Sequence, residues 1–151
     1  MEEIIIQENN FEKARKLIRT NREKGKEIIF SSDDDELNRK IIEKEPINVL
    51  LINLSERKDR MKQRDSGFNQ VLAKIVKKTG ILIGINLDEI LQAKSPKEKA
   101  KILARLRQNI VLCAKNKVPM KFIQNKTRRD DYDLKALGLS LGMPTWMTKE
   151  L

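Results

Sequence analysis

Short runs rich in Ile, Leu and Val alternate along this chain with amphipathic stretches. The first run is Glu3-Ile4-Ile5-Ile6-Gln7. A helix pattern follows it, with Phe11, Ala14, Leu17 and Ile18 on one face, Asn9 or Asn10 as cap and Gly25 as stop. Glu27-Ile28-Ile29-Phe30-Ser31 is the second run. Asp33, Asp34 and Asp35 then suit a helix N-terminus, and Leu37, Ile41 and Ile42 give that helix its inner face. The third run spans Ile47 to Leu54, and a polar stretch from Ser55 to Ser66 follows it. The next helix is predicted from Gly67 to Thr79, capped by Asp65 or Ser66 and stopped by Gly80. Ile81 to Leu87 is the fourth run. Ser95-Pro96-Lys97-Glu98 reads as N-cap, Pro at N1 and Glu at N3, opening a long helix with Ala100, Leu103, Leu106, Ile110 and Ala114 inward. Val118-Pro119 closes it, Met120 to Gln124 is a fifth strand, and a last helix spans Asp131 to Leu141 before Gly142. Met143-Pro144-Thr145-Trp146 is read as a short terminal strand.

The order is therefore βα repeated five times, with a sixth strand at the end. Continuous apolar runs are the mark of strands buried on both faces, as in a parallel sheet covered by helices. Each unit takes roughly 25 residues, whereas a closed eight-unit barrel needs about 250. The pattern predicts one α/β domain over residues 1–151, either an open doubly wound sheet or an incomplete barrel of five or six parallel strands.

Composition narrows the chemistry. The chain has no histidine and a single cysteine, Cys113, so imidazole-based triads and metal sites, zinc sites built on cysteine and a disulfide framework are all excluded. Cys113 falls in an apolar helix face and is read as core. No apolar stretch is long enough to span a bilayer, and a cytoplasmic protein is expected. The formal net charge is +10, and it is unevenly placed. Residues 1–56 hold 10 basic and 13 acidic side chains, whereas residues 57–151 hold 22 and 9. Between residues 97 and 129 stand 11 basic groups and the single Glu98. Such asymmetry points to a polyanion, most simply a nucleic acid.

Two basic groups fall at the carboxyl ends of predicted strands, where α/β sheets bind ligands. Arg57, Lys58, Arg60, Lys62 and Arg64 lead into Asp65-Ser66-Gly67 at a helix start, a combination suited to phosphate. Asn125-Lys126-Thr127-Arg128-Arg129 precedes Asp130, Asp131, Tyr132 and Asp133. These carboxylates, like Asp33, Asp34 and Asp35, are expected to cap helices and to pair with Arg128 and Arg129 rather than to gather around a metal. Trp146 is open to two readings, a cover for the barrel end or an anchor for a partner.

The segment Arg64-Asp65-Ser66-Gly67-Phe68-Asn69-Gln70-Val71-Leu72-Ala73-Lys74 resembles protein component 3 of archaeal ribonuclease P, the counterpart of the eukaryotic thirty-kilodalton subunit. That family carries a basic-Asp-Pro/Ser-Gly-Ile-Asp-His-Val-Leu-Ala element. Tyr132-Asp133-Leu134-Lys135-Ala136-Leu137-Gly138 resembles the family's Tyr-Asp-Leu-Arg-Ala-Leu-Gly segment. The resemblance implies a TIM-barrel-like fold, related in shape to the PHP-like barrel of metal-dependent phosphoesterases. It implies a subunit of an RNA enzyme that removes the 5′ leader of precursor tRNA. It implies partnership with the ribonuclease P RNA and other protein components, above all protein component 2, two such pairs forming a heterotetramer. Catalysis would belong to that RNA and its magnesium ions, with no catalytic residue, metal or cofactor on this chain. The RNA-binding residues expected are Arg57, Lys58, Arg60, Lys62, Arg64, Lys126, Arg128 and Arg129, with Asp65, Ser66, Gly67, Tyr132 and Asp133 as motif residues.

Two departures stand out. Asn69 and Gln70 replace the motif's Asp and His, and the chain is short by about two βα units against usual members. Glu3–Gln7 would then form a new edge, which invites a partner or a second copy to cover it. Two other classes remain as alternatives: a metal-dependent phosphoesterase on a related barrel, and a basic module that binds acidic proteins.

Overall fold

The computed structural model describes residues 2–59, 61, 64–126 and 128–151. Five strands form one parallel sheet: β1 (Glu3–Gln7), β2 (Glu27–Ser31), β3 (Val49–Ile52), β4 (Leu82–Asn86) and β5 (Met120–Ile123). Helices α1 (Phe11–Glu23), α2 (Asp35–Lys44), α3 (Gln70–Thr79), α4 (Leu87–Leu91), α5 (Pro96–Asn116) and α6 (Asp131–Ser140) connect or follow them.

Local chemistry accounts for the boundaries. Asn10 accepts from Lys13 N to start α1, and Asp34 accepts from Glu36 N and Leu37 N to start α2. Ser95 accepts from Glu98 N at 3.1 Å while the Glu98 carboxylate takes Lys94 N, so the expected capping box forms one residue wider than its usual reach. Three expectations need correction. Helix α3 begins at Gln70, not Gly67, because Asn69 rather than Asp65 or Ser66 supplies the cap. A short helix, α4, was not predicted: Asn86 ends β4 and caps it. The terminal strand is absent, and Thr145–Glu150 forms a 3₁₀ helix instead. Pro144 has no N–H for a ladder, and Gly138 lets Met143 and Leu151 pack where a Cβ would meet Met143 Sδ at 2.8 Å and Leu151 Cδ1 at 3.1 Å.

The strand order is β1-β2-β3-β4-β5, each strand beside its sequence neighbour. A doubly wound sheet reverses direction at a switch point; this one does not, so its crossovers stack on one face, as in a barrel. Alternation along the strands bears this out. Ile28, Phe30, Leu50, Ile52, Ile83, Ile85 and Phe122 bury against the helices in the main core. Ile29, Val49, Leu51 and Ile123, with Leu82, form a separate cluster on the opposite face. Each fully buried Ile or Phe contributes about 1.5–3 kcal/mol. Cys113 lies wholly inside the core, and burial pushes its thiol up to about 12.

That second face is the inside of a curl. β1 and β5 are the two edges of the sheet, yet Lys121 Nζ on β5 meets Glu3 Oε1 on β1 at 2.7 Å. Lys121 pairs with Gly84, which pairs with Leu51, and Ser31 beside it pairs with Gln7. The lysine thus sits in the row of Gln7 but reaches Glu3, four residues nearer the amino end of β1. Such a stagger is what strand tilt produces as a sheet rolls toward closure. The barrel is incomplete: among the described residues no ladder joins β5 to β1.

Candidate nucleic-acid interface

The polar stretch after β3 has too few apolar residues to pack, so its order must come from hydrogen bonds. Arg57 sits at its centre, largely buried. Its Nε donates to Asn53 O at 2.6 Å, and its two Nη atoms reach the Asp35 carboxylate at 3.0 and 3.2 Å and Asp65 Oδ1 at 3.2 Å. Burial works against the guanidinium's charge, but Asp35 and Asp65 more than offset it, so its pKa is raised. Asp65 Oδ1 also accepts from Gly67 N at 3.1 Å, and Gly67 takes φ +71° there, directly under the Arg57 guanidinium. Asp65, Ser66 and Gly67 thus form a turn that holds Arg57. Ser66 is buried, and its hydroxyl donates to Phe68 O.

The rest of the clamp comes from other elements. Arg105 on α5, 3% exposed, donates to Leu54 O at 2.8 Å, to Arg57 O at 2.7 Å and to Asp59 Oδ1 at 3.3 Å. Asp59 Oδ1 also accepts from Asp65 N at 2.9 Å. That bond, followed by the charge of Arg105, holds the Asp59 carboxyl below its ordinary value. Glu89 on α4 accepts from Leu54 N, Ser55 N and Ser55 Oγ. Gln108 donates to Arg64 O and Ser66 Oγ, and Asn109 donates to Ser66 O.

None of these partners was singled out from the sequence. The signal was there for two of them: Arg105 and Asn109 lie four apart at inward positions of α5, among Ile102, Leu106 and Ile110. Polar groups at core positions need partners, and here the partner is the loop.

The predicted basic residues part company. Arg57 faces carboxylates, not solvent. Lys58 and Arg64 are exposed and line a groove of 390 Å³ with Arg39, Asp35, Glu36 and Asp65. The neighbouring groove at the carboxyl ends of β1–β4, 480 Å³, carries Asp33, Asp35, Glu56, Asp65 and Glu89 against Arg57 and Lys58. Among the described residues the strand-end mouth is therefore acidic in balance. Lys126, Arg128 and Arg129 are exposed, and Arg128 lines a different groove, between β1 and β5. The structure does not bring the two basic groups together. Arg60, Lys62 and Thr127 lie outside the described residues. The expected pairing of Arg128 and Arg129 with the nearby aspartates does not form among the described residues: Asp130 caps α6 through Asp133 N, Lys126 N donates to Asp88, and Arg129 N donates to Gln124 Oε1. Tyr132 is 84% exposed and Asp133 lies exposed beside it.

Asn69 and Gln70 take up structural roles. Asn69 Oδ1 accepts from Leu72 N at 2.9 Å, and asparagine caps as well as aspartate. Gln70 and Asn116 on α5 exchange reciprocal amide hydrogen bonds at 2.9 and 3.0 Å, tying α3 to α5.

No protein-family model matches the chain. Ribonuclease P protein component 3 of Methanococcus vannielii is 24% identical over 131 residues, which are 87% of this chain and 53% of the relative. The chain is similar to ribonuclease P protein component 3. A chain of the cryo-EM structure of archaeal ribonuclease P with mature tRNA superposes with a TM-score of 0.78 at 23% identity, over 97% of this chain and 62% of that one. The fold is therefore shared across nearly the whole of the present sequence. The chain spans about half the length of the curated relative it matches. Among the described residues, no helix is long and apolar enough to cross a membrane.

Proposed function

We propose that this chain is a protein subunit of an archaeal-type ribonuclease P, the RNA-based endonuclease that removes the 5′ leader of precursor tRNA. What carries the reading is the agreement of two likenesses: a sequence relative and a structural neighbour both come from archaeal ribonuclease P. The +10 charge supports it, since a subunit of an RNA enzyme neutralises phosphates. The catalytic RNA and its magnesium ions supply the chemistry, and this chain supports the RNA's fold. Protein component 2 is the proposed protein partner. The buried uses of Arg57, Asp65, Ser66 and Gly67 fit a scaffold, whose motif residues serve architecture rather than reaction.

The test is native purification of the tagged protein from the organism that encodes it, with sequencing of the bound RNA. Enrichment of ribonuclease P RNA, and 5′ maturation of precursor tRNA by the purified complex, is the expected result. Bound material lacking that RNA would overturn the reading.

A further inference from the structure

The exposed cations are not spread evenly over the helices. Helices α3 and α5 carry no carboxylate apart from Glu98, whose side chain turns back to Lys94 N. No Asp or Glu occurs between Ser66 and Leu87 or between Lys99 and Arg129. The Gln70–Asn116 pair and a hydrogen bond from Lys77 Nζ to Lys117 O at 3.1 Å bring α3 against the carboxyl end of α5. The junction gathers Lys74, Lys77, Lys78, Lys115 and Lys117, all exposed. Among the described residues none of the five makes an ion pair. Some cations elsewhere are matched: Arg15 and Arg19 by Glu45, Arg39 by Glu43, Arg57 by Asp35 and Asp65.

Two further observations separate this junction from an ordinary lysine-rich surface. Lys117 caps α5 in the left-handed conformation, φ +59°, where α3 uses Gly80 at φ +79°. A side chain kept at a glycine position costs strain, and residues strained in this way cluster at functional sites. Its ammonium stands 5.6 Å from the ring of Trp146, the chain's only tryptophan, which is 37% exposed. Unmatched cations beside an open indole ring are the two parts of a single-strand site: phosphates on the lysines, a base against the ring.

We infer that the α3–α5 junction, with Trp146, binds an unpaired segment of RNA. The site lies apart from the strand-end mouth, whose carboxylates repel phosphate. This inference rests on the ribonuclease P reading and gives it a surface. With one aromatic ring the site holds RNA with little base specificity.

The test titrates the full chain with an oligouridine of about 12 nucleotides, following the fluorescence of Trp146. Saturable quenching is expected, with affinity falling steeply as salt rises. Lys74→Ala/Lys78→Ala/Lys115→Ala together should reduce the log–log salt slope by about 2, since each single-strand phosphate contact contributes about 0.7. Lys117→Gly should weaken binding while its melting temperature stays at or above that of the parent, and Lys117→Arg should restore affinity. An unquenched Trp146, with a salt slope lost only in Lys126→Ala/Arg128→Ala/Arg129→Ala, moves the RNA elsewhere and overturns the inference while leaving the proposed function standing. Displacement by polyglutamate as effective as by RNA overturns it in favour of an acidic protein. Quenching by oligouridine from a protein that co-purifies without ribonuclease P RNA keeps the surface and removes the proposed function.

Discussion

At the scale of single residues, the loop after β3 depends on one glycine and one arginine. A Cβ at Gly67 would lie 2.5 Å from Arg57 Nη2, whereas at Gly25 nothing stands within 4 Å. Both glycines hold positive φ, +71° and +75°. Alanine at either site therefore meets backbone strain of about 1–2 kcal/mol. Gly67→Ala must also displace a guanidinium bonded to Asp35, Asp65 and Asn53 O, so we expect it to lose about 1.5–3 kcal/mol more than Gly25→Ala, because hydrogen bonds to charged groups are worth about that much. Chemical denaturation of the two variants checks this; equal losses would mean that Arg57 holds nothing in place. The sequence marked Gly67 as part of the turn at a helix start but not the guanidinium that packs on it. Asp35 lies 22 positions from Arg57, and no periodicity encodes that pairing.

At the scale of elements, the loop is a clamped unit whose weak point is acid. Asp59 joins the loop's two arms, through Asp65 N, to buried Arg105. Its folded pKa lies below the ordinary 3.8. The stabilisation it gives is complete above that value and is lost as pH falls through the lower, folded one. Once the intrinsic exchange rate is divided out, the protection of the Asp65 amide should therefore fall as pH drops through the acidic range below 3.8, before the sheet amides respond, and Asp59→Asn should lack that protection already near neutral pH. Unchanged protection across that range would show that the ion pair does not fasten the loop. Most elements were legible in advance because caps and apolar spacing are local signals. The start of α3 was not, since Asp65, Ser66 and Asn69 are all good caps and Arg57 decides among them by engaging Asp65. Nor was α4, whose five residues are too short for a helical period to register.

At the scale of the whole molecule, the parallel sheet was readable from continuous Ile, Leu and Val runs, while its curl was not, because Glu3 and Lys121 carry no mark of each other. That ion pair has a kinetic consequence. Its partners are 118 residues apart, so forming it early would close a loop of nearly the whole chain for one weak contact. A contact made last contributes to the native state but not to the folding transition state. Both side chains are partly exposed, 41% and 33%, so its worth is below about 1 kcal/mol. Glu3→Gln should accordingly leave the refolding rate unaltered and quicken unfolding less than about five-fold, as a stopped-flow chevron would show; slower refolding would place the curl early. The fastening between the first and last strands thus acts as a latch, setting how long the rolled sheet stays shut rather than how fast it rolls.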